Sequence, residues 1–333
     1  MTQDPVSIEP LCLDEGHALG EFYPLKQQAQ AEDFPADPAA CRKDFLGQIL
    51  HPRPGNSVLA WGARMGGRPV GLCAVGVPEA GRRWTADVVH FVVHPDVRRT
   101  GIGSRLLATA TGHLAGLGVQ KMTAFTSGPA DGAGAGDAFA EATGAARILR
   151  YQRLSLRIGP TRLATDGDTG AGCELLHWRD DVPAEYRAAF AAMSSRLAAE
   201  EAARSGSDQV PEDFDEDKVQ ELYAVLRAWG YRTYLTAVRH RETGLLVGYS
   251  ALGMADSHQR HASQWDTIVL PSHRGRGLGV VLKRANLSWT VEHEPELATV
   301  TTWNAIGNPA MLHVNESFGF RLDQSGARRE WTL

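Results

Sequence analysis

The chain has 333 residues, 43% of them hydrophobic and 22% charged, with a net charge of −5. These proportions suit a globular protein with room for two domains. They exclude a disordered chain and a strongly basic protein built to neutralise nucleic-acid phosphates. No run of 18 apolar residues offers a membrane span, and the opening MTQDPVSIEP lacks the basic and apolar segments of a signal peptide. Four scattered cysteines without CxxC spacing point to a reducing cytoplasm, not to a disulfide scaffold or zinc site.

In chain order, strand-like runs Ser57–Arg64 and Arg68–Val77 flank Met65-Gly66-Gly67 and predict a hairpin. An apolar strand through Phe91, Val92 and Val93 ends at Pro95. It enters the loop Arg98-Arg99-Thr100-Gly101-Ile102-Gly103-Ser104, which opens a helix over 103–117. A β-branched run, Lys121–Thr126, follows. The stretch 127–137 (SGPADGAGAGD) predicts a loop where the last helix of this half is due, and 159–171 (GPTRLATDGDTGA) predicts a linker. Helices are expected over 184–204 and over 215–229, where Val219, Leu222, Tyr223, Leu226 and Trp229 share a face. A second hairpin, Tyr231–Arg239 with Leu245–Met254, surrounds Arg241-Glu242-Thr243-Gly244. The strand through Ile268, Val269 and Leu270 then reaches Arg274-Gly275-Arg276-Gly277-Leu278-Gly279, a helix over 279–293, a strand Thr299–Trp303 and a helix over 309–317.

The chain therefore repeats itself. Residues 88–107 and 264–283 align at a constant offset of 176, pairing Pro95 with Pro271, Arg98 with Arg274, Gly101 with Gly277, Gly103 with Gly279 and Leu106 with Leu282. Each half reads β-α-α-β-β-β-α-β-(α)-β, which predicts two copies of one mixed α/β domain, 1–160 and 172–333, joined at about 159–171.

Each glycine loop has the chemistry of an anion site. Unpaired N–H groups at a helix start point outward along the helix dipole, glycines admit close approach, and arginines add donors suited to phosphate oxygens. A Rossmann site would need a third glycine where Leu106 and Leu282 stand, and a P-loop would need the missing Gly-Lys-Ser/Thr.

The doubled Arg-x-x-Gly-x-Gly loop resembles the acyl-CoA pyrophosphate loop of the GCN5-related N-acetyltransferase superfamily. HRGRGLGVVLK followed by VTTWNAIGNPAMLHVNESFGF resembles that family most fully; the first copy keeps RRTGIGSRLL with a weaker tail. Two such domains resemble the tandem acetyltransferases of actinobacteria, typified by mycothiol synthase. The resemblance implies, in each copy, a mostly antiparallel sheet with a splayed fourth strand, flanked by helices. It implies acetyl-CoA as acyl donor, no metal, and a small-molecule amine as acceptor. No nucleic acid or membrane partner is implied, and the chain is expected to be a monomer or homodimer. The donor would lie along Phe91–Val93 and Ile268–Leu270, on loops 98–104 and 274–279, and against Asn304 and Asn308.

For a catalytic base the family pattern points to Asp87 in the first copy; the same offset gives Ser263 in the second, where the nearest carboxylate is Asp266, an aspartate inside an otherwise apolar strand that needs a purpose. The family's usual tyrosine acid is replaced by Asn315 and Ala140, leaving Tyr234, Tyr249 or water. The second half is expected to be catalytic and the first a diverged copy. The alternatives are an active first half or a non-catalytic acetyl-CoA sensor. Asn308-Pro309 also reads as a helix cap. His90, aligned with Asp266, reads as a core or pocket residue. His258 and His261 could share a helical face, without further ligands for a metal. The acidic run Glu212–Asp217 complements a helix N-terminus or attracts a cationic substrate.

Overall fold

The structure, a computed structural model, describes residues 5–14, 16–79, 85–159, 172–205 and 211–333. Nearly all of the expected linker, 160–171, lies outside the described residues. Two compact units appear, one of Met1–Arg150 with Gln324–Leu333, the other of Tyr151–Asp323.

In unit 1, β1 (Val6–Pro10) leads to helices α1 (Gly16–Gly20), α2 (Tyr23–Asp33) and α3 (Arg42–Leu50). Strands β2 (Asn56–Met65) and β3 (Arg68–Pro78) meet at Gly66-Gly67, both with positive φ (55° and 78°), as a two-residue hairpin turn requires. Next come β4 (Thr85–Val93), α4 (Ile102–Gly116), β5 (Lys121–Pro129), α5 (Ala135–Ala142) and β6 (Ala146–Arg157). The segment 127–137, expected to be a loop, is one only over 130–134; its first residues complete β5 and its last begin α5. In unit 2 the order is β7 (Cys173–Arg179), α6 (Ala184–Ser205), α7 (Glu216–Ala228), β8 (Tyr231–His240), β9 (Leu246–Ala255), β10 (His261–Val269), α8 (Leu278–His293), β11 (Thr299–Ala305), α9 (Pro309–Ser317) and β12 (Arg321–Thr332).

Each sheet is antiparallel except at one pair. In unit 1 the order is β1-β2-β3-β4-β5-β12, with β4 parallel to β5; in unit 2 it is β6-β11-β10-β9-β8-β7, with β10 parallel to β11. The sixth strand of each unit comes from the other repeat. Gln324–Thr332 of β12 pairs with β5, and Tyr151–Arg157 of β6 pairs with β11. The compact units thus divide at 150/151 and 323/324, whereas the repeat boundaries expected from sequence were 1–160 and 172–333. Strand pairing registers are non-local, so nothing in β6 or β12 itself states which neighbour it takes.

Alternating residues build a core on each face. In unit 1, Ile102, Leu106, Ala110 and Leu114 of α4 pack on Trp61, Ala63, Cys73 and Val75, and the opposite face places Leu25, Phe45 and Ile49 on Ala60, Leu72 and Val92. In unit 2, Phe190, Tyr223 and Leu226 cover Leu235, Tyr249 and Ile268, while Leu278, Leu282 and Leu287 lie on the α8 face of the sheet. Among the described residues no helix is long and apolar enough to cross a membrane.

Candidate functional site

The site begins where parallel strands part. β4 pairs with β5 only over Thr85–Asp87, and β10 with β11 only over His261–Ser263. A bulge helps to turn each central strand away: Val89 is the extra residue of β4, and Trp265 and Asp266 together oppose a single residue, Ala251, of β9. Trp265 lies across Gly253 so closely that any Cβ there would overlap its ring. Beyond the paired residues, the edges of Phe91–Val93 and Ile268–Val269 are open to a strand-like ligand.

At the end of each splayed strand the loop takes the same backbone course. Arg99 (φ 66°) and Gly101 (φ 88°) match Gly275 and Gly277 (both φ 76°), so left-handed residues alternate in both loops. Gly101 and Gly277 then start α4 and α8 with no side-chain cap. By contrast, Asp215 caps α7 through the Lys218 amide, and Asn308 caps α9 through the Met311 amide at 3.3 Å. Two helices thus present unsatisfied N–H groups beside left-handed turns, an arrangement that binds anions. A Cβ on Gly275, Gly277 or Gly279 would meet no heavy atom within 4 Å, so space for a ligand lies alongside.

The first arginine of each loop is committed elsewhere. Arg98 makes a bidentate pair with Asp33 of α2 (2.7 and 2.8 Å) and donates to the Val93 carbonyl. Arg274 is held similarly, its Nη2 donating to both carboxylate oxygens of Glu200 of α6 (2.8 and 3.0 Å) and its Nε to the Val269 carbonyl. Both were expected to reach phosphate; in the structure they brace the loop instead. Burial would raise the Glu200 carboxyl, but Arg274 and Arg196 together hold it below its ordinary range. The Thr100 hydroxyl donates to the Val97 carbonyl, while Arg99, Ser104 and Arg276 are exposed.

The two clefts differ. In unit 1, Phe139 of α5 stacks on Phe91 (centroids 5.1 Å apart), and its ring lies 3.1 Å from where a Gly103 Cβ would stand. Asp87 sits in the paired part of β4, held by Arg328 (2.5 Å) and the Thr123 hydroxyl, so it does not face the splay. His90 packs 4.9 Å from the Phe45 ring, and burial, aided by Lys26, pushes it down to about 3; it is a neutral core histidine. In unit 2 the aligned residue, Asp266, is exposed in the bulge. Its charge acts on two buried phenols, Tyr249 and Tyr223, whose pKa values burial first and Asp266 second push well above the ordinary tyrosine range. The Tyr249 hydroxyl lies 3.1 Å from Ser194 Oγ.

Neither tyrosine weighed as a substitute acid is well suited. Tyr234 donates to Glu294 at 2.5 Å and is pushed up to about 12 by burial and that carboxylate; Tyr249 is also raised, by burial first and Asp266 second. Asn315 is fully buried. Its Oδ1 accepts from Lys283 Nζ and its Nδ2 donates to Asn304 Oδ1 at 3.0 Å. Lys283 was not anticipated, although it falls on the buried stripe of α8 with Leu282, Asn286, Leu287 and Thr290, a periodicity that marks it. Asn308 serves as the cap already described. His258 and His261 lie in a turn and a strand start, not on one helical face; His261 is 3.3 Å from the Thr301 hydroxyl. Among the described residues, no three His, Cys, Asp or Glu side chains gather as a metal site.

Comparison with known proteins agrees with this geometry. The model of the acetyltransferase (GNAT) family matches residues 21–135 and again 200–320. A tandem GNAT protein from the clavulanic acid biosynthesis pathway is 29% identical, covers 98% of each chain and superimposes with a TM-score of 0.84. A GCN5-related N-acetyltransferase from Sphaerobacter thermophilus is 14% identical over 98% of this chain and 95% of its own, with a TM-score of 0.64, and shares the fold. No curated protein matches the sequence. Two family matches, each containing one glycine loop and together spanning well over half of the residues, establish that the chain belongs to the acetyltransferase (GNAT) family.

Proposed function

We propose that the protein is an acetyl-CoA-dependent N-acetyltransferase acting in the cytoplasm on a small-molecule amine, with unit 2 catalytic and unit 1 a diverged copy that keeps its anion loop. The observation that carries this reading is the contrast around Gly279 and Gly103. The flank of Gly279 is open, whereas Phe139 occupies that of Gly103. In unit 2 the first-turn amides of α8 and the exposed Arg276 would hold the pyrophosphate. The open edge of Ile268–Val269 would align the pantetheine and polarise the thioester carbonyl. Asp266, exposed at the bulge, would take the proton of the attacking ammonium. Asp266, Glu201 and Asp181 all act electrostatically on the Tyr223–Tyr249 pair, and this concentration of negative charge supports a cationic acceptor.

The test is acetyl-CoA binding and thiol release with a panel of amines. Gly279→Trp, placed in open space, is expected to fold normally and to abolish turnover; Asp266→Asn is expected to lower turnover by about 10²-fold or more. Turnover unaffected by Gly279→Trp would assign catalysis to unit 1. Asn315 at the usual tyrosine position favours a second reading, an acetyl-CoA sensor: tight binding without thiol release on any amine would establish it.

A further inference from the structure

The polar chain Lys283–Asn315–Asn304 has no need of its polarity for packing. Lys283 is 2% exposed and Asn315 not at all. Under the repeat, the matching residues of unit 1 are Leu107, Ala140 and Thr126. The α5 and α9 ends match through the same backbone bond, Ala145 N–H to the Ala140 carbonyl and Phe320 N–H to the Asn315 carbonyl. Leu107 and Ala140 belong to the apolar core there. Unit 2 has thus placed an amine and an amide where unit 1 has hydrocarbon, at a cost in desolvation, and a second amide where unit 1 has the Thr126 hydroxyl.

The chain has a direction. Lys283 Nζ donates to Asn315 Oδ1, Asn315 Nδ2 donates to Asn304 Oδ1, and Asn304 Nδ2 is buried with no partner among the described residues. A buried donor left open costs free energy unless a ligand takes it. Asn304 lies on β11 beyond the residues that pair with β10, within the splay. Polarisation passes along such a chain, so a donor bond from Lys283 makes the terminal amide N–H a stronger donor.

We infer that Asn304 Nδ2 is the donor to the departing sulfur of the acyl-CoA, and that Lys283 and Asn315 are positioning residues which orient and polarise it in place of a phenolic acid. The inference rests on the acyl-CoA reading of unit 2. As the amine nitrogen bonds to the carbonyl carbon, the C–S bond breaks and its electron pair stays on sulfur. The thiolate accepts the Asn304 N–H bond, the ammonium proton leaves through Asp266, and Lys283 keeps its own protons. Asn315 Oδ1 and the face of Phe320, 5.1 Å away, are the groups set against the Lys283 amine. Burial alone lowers it to about 7, with no carboxylate among the causes. It is therefore poised between charged and neutral forms, and a nearby thiolate favours the charged one.

The test needs no acceptor. CoA bound to the full-length protein is titrated from pH 6 to 10 by its thiolate absorbance, in the wild type and in Lys283→Met/Asn315→Leu. That double variant removes both partners at once and copies the apolar character of unit 1, so it is expected to fold. The fraction belonging to unit 2 is the part lost in Gly279→Trp. A simple thiol titrates at about 8.5. In the wild type the bound thiol of unit 2 is expected about one pKa unit lower, and in the double variant back at the free value with CoA affinity changed less than about three-fold. CoA that binds with an unshifted thiol, or with the same shift in the double variant, overturns the proposal and leaves the acyl-CoA reading intact. No CoA bound in unit 2 of the wild type overturns both.

Discussion

Asp137→Ala tests the anchor that holds the exchanged strand β12 in unit 1. Arg329 of β12 is 3% exposed and donates to Asp137 Oδ1 of α5 at 2.8 Å, while the Thr126 hydroxyl donates to the same oxygen at 2.6 Å. Burial would raise the Asp137 carboxyl, but Thr126 and Arg329 together hold it below the usual carboxylate range. Removing it leaves a buried guanidinium with one exposed partner, Glu141, at 3.1 Å. Breaking a buried pair costs about 3–5 kcal/mol, and the surviving Glu141 contact places this case near 3. For a unit of this size that is a fall of about 6–12 °C in Tm, read by calorimetry or near-ultraviolet dichroism. Because the folded Asp137 titrates below its unfolded value, its contribution is complete above about pH 5 and is lost as pH falls through the folded value. The gap between variant and wild type is therefore constant from pH 5 to 8 and narrows in acid. Asp137→Leu/Arg329→Met, which removes both charges, is expected to recover most of the loss. A single variant within 2 °C of wild type, or a double variant worse than the single, would refute the reasoning.

Arg99 holds a left-handed conformation where the second loop has Gly275. Arg99→Gly is expected to stabilise unit 1 by about 0.5–1 kcal/mol, the left-handed strain relieved less the added freedom of the unfolded chain; a lower Tm would contradict it. Glu200→Gln breaks an exposed brace, so Tm should hold while acetyl-CoA affinity drops about two- to five-fold. The Glu200 carboxyl is held below its ordinary range, so the brace persists above the unfolded pKa. The affinity gap should stay constant from pH 5 to 8 and close only as pH falls through the folded value, as calorimetric titration would show. A fragment of residues 1–159 lacks β12 and exposes the edge of β5; it should aggregate or stay unfolded by dichroism, whereas a protease nick in 160–171 should leave both units folded.

Elements with local signatures were legible in the sequence. The hairpins follow from turn glycines, the loops from Arg-x-x-Gly-x-Gly, and the helices from apolar stripes; every one of these lies within two residues of its expected place. What escaped is decided at long range. Arg98 and Arg274 find carboxylates 65 and 74 residues away, and β12 finds β5 nearly 200 residues back, with no local mark of the choice. Helix α5 hid because glycines at 132, 134 and 136 obscure its start. Asp266 was singled out as an aspartate amid apolar strand residues, whereas Lys283 was passed over because a lysine in a helix ordinarily faces water.

The repeat offers its own control for separating scaffold from chemistry. Features that both copies share are geometric: the strand splay, the bulge, the alternating left-handed turns, the uncapped helix start, and an arginine braced by an acidic residue from an earlier helix. Features that differ gather around the cleft. His90 stands for Asp266, Phe139 for Val314, Leu107 for Lys283, Ala140 for Asn315 and Arg99 for Gly275. The buried polar contacts of unit 1 are different ones, Thr126 and Arg329 on Asp137, which anchor β12. At the positions of Lys283 and Asn315 the same elements carry hydrocarbon, Leu107 and Ala140, beside an aromatic stack at Phe91–Phe139. The brace therefore belongs to the loop's shape. On the acyl-CoA reading proposed above, Asp266, Lys283, Asn304 and Asn315, present together in one copy, are the residues assigned to its chemistry.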